Sequence, residues 1–185
     1  MNRTRLYFII ATGLIITDQL LKFLVKGGTV FGYHRQGMYL GESFPLVGET
    51  IRITFVENPG MAFGISWGEG KIILTLITIL IAATLGYVVY KRSDAPGMER
   101  SAYMLIFSGA VGNLIDRMLY GVLYQEGPLF EGRVVDFLQV DIPDLTLQDV
   151  TYTHFPVFNL ADSCVSVGVA LMLISAFTAN RPHRG

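Results

Sequence analysis

Asn159 and Asp162 stand at the entrance to an apolar stretch, and from Ser163 to Asn180 no residue carries a charge. A carboxylate in a membrane-spanning helix costs roughly 2.5–3.5 kcal/mol at mid-depth and less near an interface, so such a group usually faces a polar cavity and serves a function. The spacing of three puts Asn159 and Asp162 on one helical face. Other polar residues sit in comparable places. Asp18 and Lys22 lie four apart inside the first apolar run, and Asn113, Asp116 and Arg117 share a face at the end of the third. Asp136 is flanked by Val134-Val135 and Phe137-Leu138, neighbours that call for burial within an otherwise acidic loop.

These residue types narrow the chemistry. His34, His154 and His183 are scattered, and neither His-x-x-x-His nor Cys-x-x-Cys occurs, so the sequence shows no metal set and calls for no cofactor. There is no Gly-x-Ser-x-Gly and no histidine placed to serve a serine. Cys164 lies two residues after Asp162, points away from it on a helix, and reads as packing. Carboxylates remain. Two aspartates sharing a buried site cannot both ionise easily, so one keeps its proton. The ionised partner then takes a proton from water while the protonated one polarises a carbonyl, as in aspartyl proteases. By spacing, Asp18 pairs with Lys22 and Asp116 with Arg117. That leaves Asp136 and Asp162 as the dyad, one entering from a loop and one from a helix, although Arg133 lies three residues before Asp136.

The elements that must position these residues are largely membrane-spanning. The chain has 185 residues, of which 51% are hydrophobic and 16% charged, against about 25% charged in soluble domains. A net charge of −1 excludes a generally basic, nucleic-acid-binding surface, and a single cysteine excludes an intramolecular disulfide framework. The predicted fold is an all-α membrane protein, one domain over residues 1–185, with four transmembrane helices at about 6–25, 72–90, 99–120 and 156–179. A small β region over 27–70 lies between helices 1 and 2, and a loop over 121–155 between helices 3 and 4. Within 27–70, the alternation of Ile51, Ile53 and Phe55 with polar neighbours reads as a half-buried strand, Phe44–Glu49 as a strand and turn, and Asn58-Pro59-Gly60 as a turn. Gly109-Ala110-Val111-Gly112 suits close helix packing. The first segment is read as a retained span, because no small-x-small cleavage site follows it.

Charge sets the orientation. Arg3 and Arg5, then Lys91, Arg92 and Arg100, then Arg181 and Arg184 flank the spans on one side, whereas residues 121–155 carry one Arg and six acids and residues 27–70 two Arg and four Glu. The positive-inside rule makes both termini cytoplasmic and puts both long loops outside. The polar residues then gather near the outer face. A proton- or ion-coupled transporter would place them near the midplane between repeats, and no repeat is seen. A scaffold that uses them to staple helices explains Asp18–Lys22 and Asp116–Arg117 but not Asp136 and Asp162.

Four ordered blocks resemble the lipoprotein signal peptidase family, signal peptidase II. They are Thr17-Asp18-Gln19…Lys22; Asn58-Pro59-Gly60-Met61-Ala62-Phe63-Gly64; Gly109–Arg117 with Val134-Val135-Asp136-Phe137; and Phe155-Pro156-Val157-Phe158-Asn159-Leu160-Ala161-Asp162-Ser163. The resemblance implies an aspartyl endopeptidase of the bacterial inner membrane that cleaves diacylglyceryl-modified prolipoproteins just before the lipidated cysteine, works among membrane lipids and is inhibited by globomycin-type peptides; nothing in the sequence requires more than a monomer. It implies Asp136 and Asp162 as catalytic, Asn58, Gly60, Asn113, Arg117, Asn159 and Ala161 as substrate-binding, and Asp18, Lys22 and Asp116 as supporting. The chain departs from the family pattern in an extra Tyr124–Gly132, in extra acidic residues over Asp141–Asp149, and in Met61 where a smaller Ala is usual.

Overall fold

The computed structural model describes residues 3–30, 32–60, 71–92, 94–147 and 150–179. Met61–Gly64 of the second motif block, the remainder of 27–70 after residue 60, Asp149, Arg181, His183 and Arg184 lie outside the described residues.

Helix α1 (Arg3–Lys26) leads into a small antiparallel pair, β1 (Gly28–Val30) and β2 (Tyr33–Arg35). Strands β3 (Ser43–Val47) and β4 (Ile51–Asn58) follow, then helices α2 (Lys71–Lys91) and α3 (Gly97–Ile115). A single π-helical turn, Asp116–Tyr120, and a three-residue turn, α4 (Gly121–Leu123), end the third helical segment. Strands β5 (Val134–Leu147) and β6 (Val150–His154) precede α5 (Leu160–Ala179). The β4 strand and the β3 strand-and-turn agree with the sequence reading.

The expected all-α fold with four transmembrane helices is corrected in two respects. Among the described residues, three helices are long and apolar enough to cross a membrane: Arg3–Lys26, Lys71–Lys91 and Leu160–Thr178. Helix α3 is not one of them. Glu99 and Arg100 in its first turn, Ser101, Ser108 and Asn113 dilute its apolar character. Secondly, the protein is not all-α. The 121–155 region, read as a loop, contains β5 and β6, and a four-stranded antiparallel sheet runs β3-β4-β5-β6. The acids and Pro143 masked this strand. Pro143 falls within an irregularity between Asp141 and Leu145, where the β5–β6 register shifts, the kind of position in a sheet that tolerates a residue without an N–H.

The chain divides into two compact units. The first comprises Met1–Asp18, Thr75–Leu114 and Leu160–Gly185, and is helical where described. Small residues set its packing. A Cβ on Gly109 would lie 2.2 Å from the Ala161 carbonyl oxygen, and one on Gly168 2.9 Å from that of Ala102, so α3 and α5 approach backbone to backbone as the glycine spacing suggested. Outward-facing Ile9, Leu80, Val167 and Phe177 are strongly exposed, the pattern of helices whose apolar faces belong against lipid.

The second unit, Gln19–Leu74 with Ile115–Asn159, carries the four-stranded sheet and a conventional core. Val25, Phe55, Tyr120, Val135 and Phe137 form that core, with Leu21, Met38, Ile115 and Leu138 packed against it. Val135 and Phe137 are two apart and point to the same face, so the strand period places Asp136 on the opposite one. The 155–159 segment docks along β5: Phe137 and Leu138 donate to the Phe158 carbonyl, and Phe158 donates back to Leu138 at 3.0 Å. This pairing carries Asn159 to β5.

Candidate active site

Asp116 is held from three sides. It has no solvent exposure, and Oδ2 lies 2.8 Å from the equally buried Lys22 ammonium. Gln19 donates to Oδ1 at 2.9 Å and the Val135 N–H to Oδ2 at 3.1 Å. Tyr120 in turn donates to Gln19 Oε1 at 3.0 Å. A buried ion pair is tolerated when further hydrogen bonds satisfy the remaining lone pairs and protons. Here they also tie α1, the π turn and the start of β5 together, immediately before Asp136. Lys22 is thus a cation against Asp116, a pairing that helical spacing did not indicate. The two residues lie on separate elements, α1 and the π turn, so spacing along one helix does not relate them.

Asp136 is 4% exposed. Its Oδ1 accepts the Asn159 side-chain amide at 2.7 Å, and the same nitrogen lies 3.2 Å from the Val135 carbonyl oxygen. Asn159, completely buried, therefore spans both the carboxylate and the backbone of β5. Arg133, three residues before Asp136, donates to Glu57 Oε2 at 3.2 Å. At the end of β4, the Gly60 N–H donates to Asn58 Oδ1 at 2.9 Å, closing the turn that the sequence indicated. Gly60 has φ +102°, a conformation that side chains rarely adopt. Arg117, half-buried, follows Asp116 in the π turn.

In the helical unit, Asn113 donates its amide to Asp162 Oδ1 at 2.7 Å. Asp18, 2% exposed, accepts the Ala161 N–H at 3.0 Å. Ala161 is the second residue of α5, so Asp18 satisfies one of the orphan donors at the start of the helix that bears Asp162, a cap supplied from α1. Gly112 makes room for it: a Cβ there would lie 2.8 Å from Asp18 Oδ2 and 3.0 Å from the Ala161 Cβ. Cys164 is buried, in keeping with packing.

The sequence-derived residues thus fall into two hydrogen-bonded groups. Lys22, Asp116, Asp136 and Asn159 belong to one unit; Asp18, Asn113, Ala161 and Asp162 belong to the other. Sequence reasoning missed Gln19, Tyr120 and the Val135 N–H as partners of Asp116. Gln19 was visible in the Thr17-Asp18-Gln19 block, and Tyr120 lies four residues after Asp116.

Apolar helices of spanning length, with buried aspartates met by amide and ammonium donors, point to a class: membrane proteins with carboxylates held below their surface. Comparison with known proteins sharpens it. The family model described as Signal peptidase (SPase) II matches residues 10–178. The lipoprotein signal peptidase of Chlorobium phaeobacteroides is 35% identical over 170 residues, covering 92% of this chain and 94% of that protein. That of Geobacillus thermodenitrificans is 34% identical over 186 residues, with 99% and 96% coverage. Two solved structures, each described as a bacterial membrane enzyme determined by the in meso method, are also similar. The one at 2.3 Å resolution has a TM-score of 0.70 and 31% identity, covering 97% of this chain and 93% of that one. The one at 1.9 Å has a TM-score of 0.65 and 30% identity, with 92% and 91% coverage. The chain belongs to the signal peptidase II family, and it is a peptidase by that membership.

Proposed function

We propose that this protein is an aspartyl endopeptidase of the bacterial inner membrane that removes the signal peptide from diacylglyceryl-modified prolipoproteins, cutting just before the lipidated cysteine. Family membership supports the substrate class, since the relatives are lipoprotein signal peptidases. One observation supports the choice of residues. Asp136 and Asp162 each accept an asparagine side-chain amide on Oδ1, at 2.7 Å in both cases. An amide orients a carboxylate without ceasing to be neutral, so each oxygen pair keeps one member directed by the protein.

In this mechanism Asp136 and Asp162 share one proton. The ionised carboxylate takes a proton from water as its oxygen attacks the scissile carbonyl, and the protonated one donates to the carbonyl oxygen. Collapse of the tetrahedral intermediate breaks the C–N bond, and the proton taken from water passes to the departing amine. Asn58, Gly60, Asn113, Arg117, Asn159 and Ala161 form the substrate-binding site, while Asp18, Lys22 and Asp116 support it. The protein acts as a monomer, needs no metal, and is inhibited by globomycin-type cyclic peptides. Arg3 and Arg5 hold the N-terminus in the cytoplasm, so that 27–60 lies outside.

Gel-shift cleavage of a purified diacylated prolipoprotein in detergent tests the reading. Wild type should cleave with or without a chelator, and Asp136→Asn and Asp162→Asn should both be inactive, because Asn keeps the shape but cannot hold the shared proton. Near-full activity in either variant removes that aspartate from the dyad. An inactive, folded wild type removes the substrate assignment.

A further inference from the structure

Four charged side chains in the sheet-bearing unit form an alternating chain that the mechanism does not use. Lys26, at the end of α1, donates to Glu57 Oε1 and, at 2.7 Å, to Glu126 Oε1. Arg133 donates to the other oxygen of Glu57 at 3.2 Å. The order Glu126–Lys26–Glu57–Arg133 therefore alternates in sign. Its middle is buried, with Lys26 at 6% and Glu57 at 9% side-chain exposure, while Glu126 is open at 39%.

The middle of this chain sits where the sheet needs support. The β4–β5 register shifts between Ile53 and Val56, and beyond that irregularity three pairs remain: Val56 with Asp136, Glu57 with Val135 and Asn58 with Val134. A three-pair patch at a strand end frays easily, and it carries both Asp136 and Asn58. Glu57 lies in its centre. Arg133, which grips Glu57, immediately precedes β5, so the ion pair closes the patch across the two strands.

Glu126 brings in the extra Tyr124–Gly132 segment. This segment folds back onto the π turn. The backbone N–H of Glu126 donates to the Gly121 carbonyl at 2.8 Å, that of Phe130 to the Met118 carbonyl at 3.1 Å and that of Gly132 to the Arg117 carbonyl at 2.9 Å. A Cβ on Gly132 would lie 2.0 Å from the Asp116 carbonyl oxygen. Two of its side-chain-bearing residues, Gln125 and Phe130, have positive φ, 57° and 70°, a conformation kept only where surroundings impose it. Tyr124 lies under the Lys26 ammonium, 4.4 Å from ring centroid to nitrogen, and edge-on to Tyr120 at 5.0 Å. Burial, reinforced by Asp116, Glu126 and Glu57, pushes the Tyr124 phenol up to about 12, so it remains a neutral ring beneath the lysine.

We propose that Glu57 is a positioning residue for the peptidase reaction: held by Lys26 and Arg133, it fixes the short β4–β5 patch that carries Asp136, and the Tyr124–Gly132 segment secures Lys26 through Glu126. The proposal rests on the assignment of Asp136 as catalytic. Removing the Lys26 charge leaves Glu57 and Glu126 without the cation between them. Keeping the charge as arginine preserves the grip, and a cleft of about 300 Å³ lined by Lys26, Leu40, Phe55, Glu57, Tyr124 and Glu126 has room for the larger head group.

The test compares Lys26→Met, Lys26→Arg and Glu126→Gln with wild type, measuring kcat and KM on diacylated prolipoprotein and amide hydrogen exchange over 56–58 and 134–136. Lys26→Met should lower kcat roughly ten- to a hundredfold at unchanged KM and folded fraction, the scale of an ångström-size misplacement, and speed exchange in both strands. Lys26→Arg should keep both properties near wild type. If Lys26→Met does not fold, Glu126→Gln, at an exposed side chain, decides: a several-fold fall in kcat with faster exchange supports the brace. Unchanged kcat and exchange in Lys26→Met, or in Glu126→Gln when it decides, overturns it, as does a loss in Lys26→Arg equal to that in Lys26→Met. An inactive wild type sinks the peptidase assignment instead, and the exchange data, taken without substrate, still report on the brace.

Discussion

At the residue scale, a lysine with no solvent exposure needs its carboxylate. Asp116→Asn would leave the Lys22 ammonium buried without the charge it faces at 2.8 Å, and breaking a buried pair from one side costs about 3–5 kcal/mol. The expected outcome is a large fall in the denaturation midpoint, with the same direction for Lys22→Met. Asp18→Ala tests a different function. It removes the cap from the second residue of α5, which should cost about 1 kcal/mol and reduce cleavage more than stability, because the same turn bears Asp162. A midpoint lowered as far as in Asp116→Asn would show that Asp18 is a general structural staple rather than a cap. Gly112→Ala should be worse than an ordinary helix substitution: its Cβ meets Asp18 Oδ2 at 2.8 Å, so the cap and the helix contact are displaced together. A fully active Gly112→Ala protein would rule that out.

At the element scale, β5 and the π turn matter most. Strand β5 presents Val135 and Phe137 to the core of the sheet-bearing unit and Asp136 to Asn159. Phe137, 3% exposed, should cost about 3–5 kcal/mol when truncated to Ala, and the loss should appear in equilibrium denaturation. The π turn follows α3 directly and hands Asp116 to Lys22 where the third helical segment leaves α geometry. Gly132→Ala probes its fit, since the added Cβ would press on the Asp116 carbonyl oxygen. Activity should be lost through displacement of Asp116 and Val135 even where the protein still folds, and circular dichroism beside the cleavage assay separates the two.

At the scale of the whole molecule, the chain joins a helical unit suited to lipid with a sheet-bearing unit that has its own core. Along the three helices of spanning length, large apolar residues such as Ile9, Leu80 and Phe177 are exposed. Orientation is testable because Cys164 is the single cysteine. In a Cys164→Ser background, single cysteines at Thr29 and Asp94 should behave oppositely toward an impermeant thiol reagent added to spheroplasts. Position 29 should label and position 94 should not. Equal labelling would overturn the positive-inside assignment of the first half of the chain.

The sequence by itself determined the family and the local elements. Charge-free stretches identified α2 and α5, alternation identified β4, and ordered blocks identified the family, because these signals are local or depend on spacing along one element. It misjudged α3 as a fourth crossing and 121–155 as a loop. There, acids and a proline hid a strand whose burial comes from partners distant in the chain. The pairing of charges was decided only by tertiary structure. Lys22 meets Asp116 across 94 positions of sequence, and Asp18 reaches Ala161 across 143. Helical spacing offers a lysine every carboxylate on its own face, whereas burial selects the one whose remaining lone pairs are also satisfied. A π turn, a backbone N–H from β5 and a glutamine supply that satisfaction here, and none of them is fixed until the elements have packed.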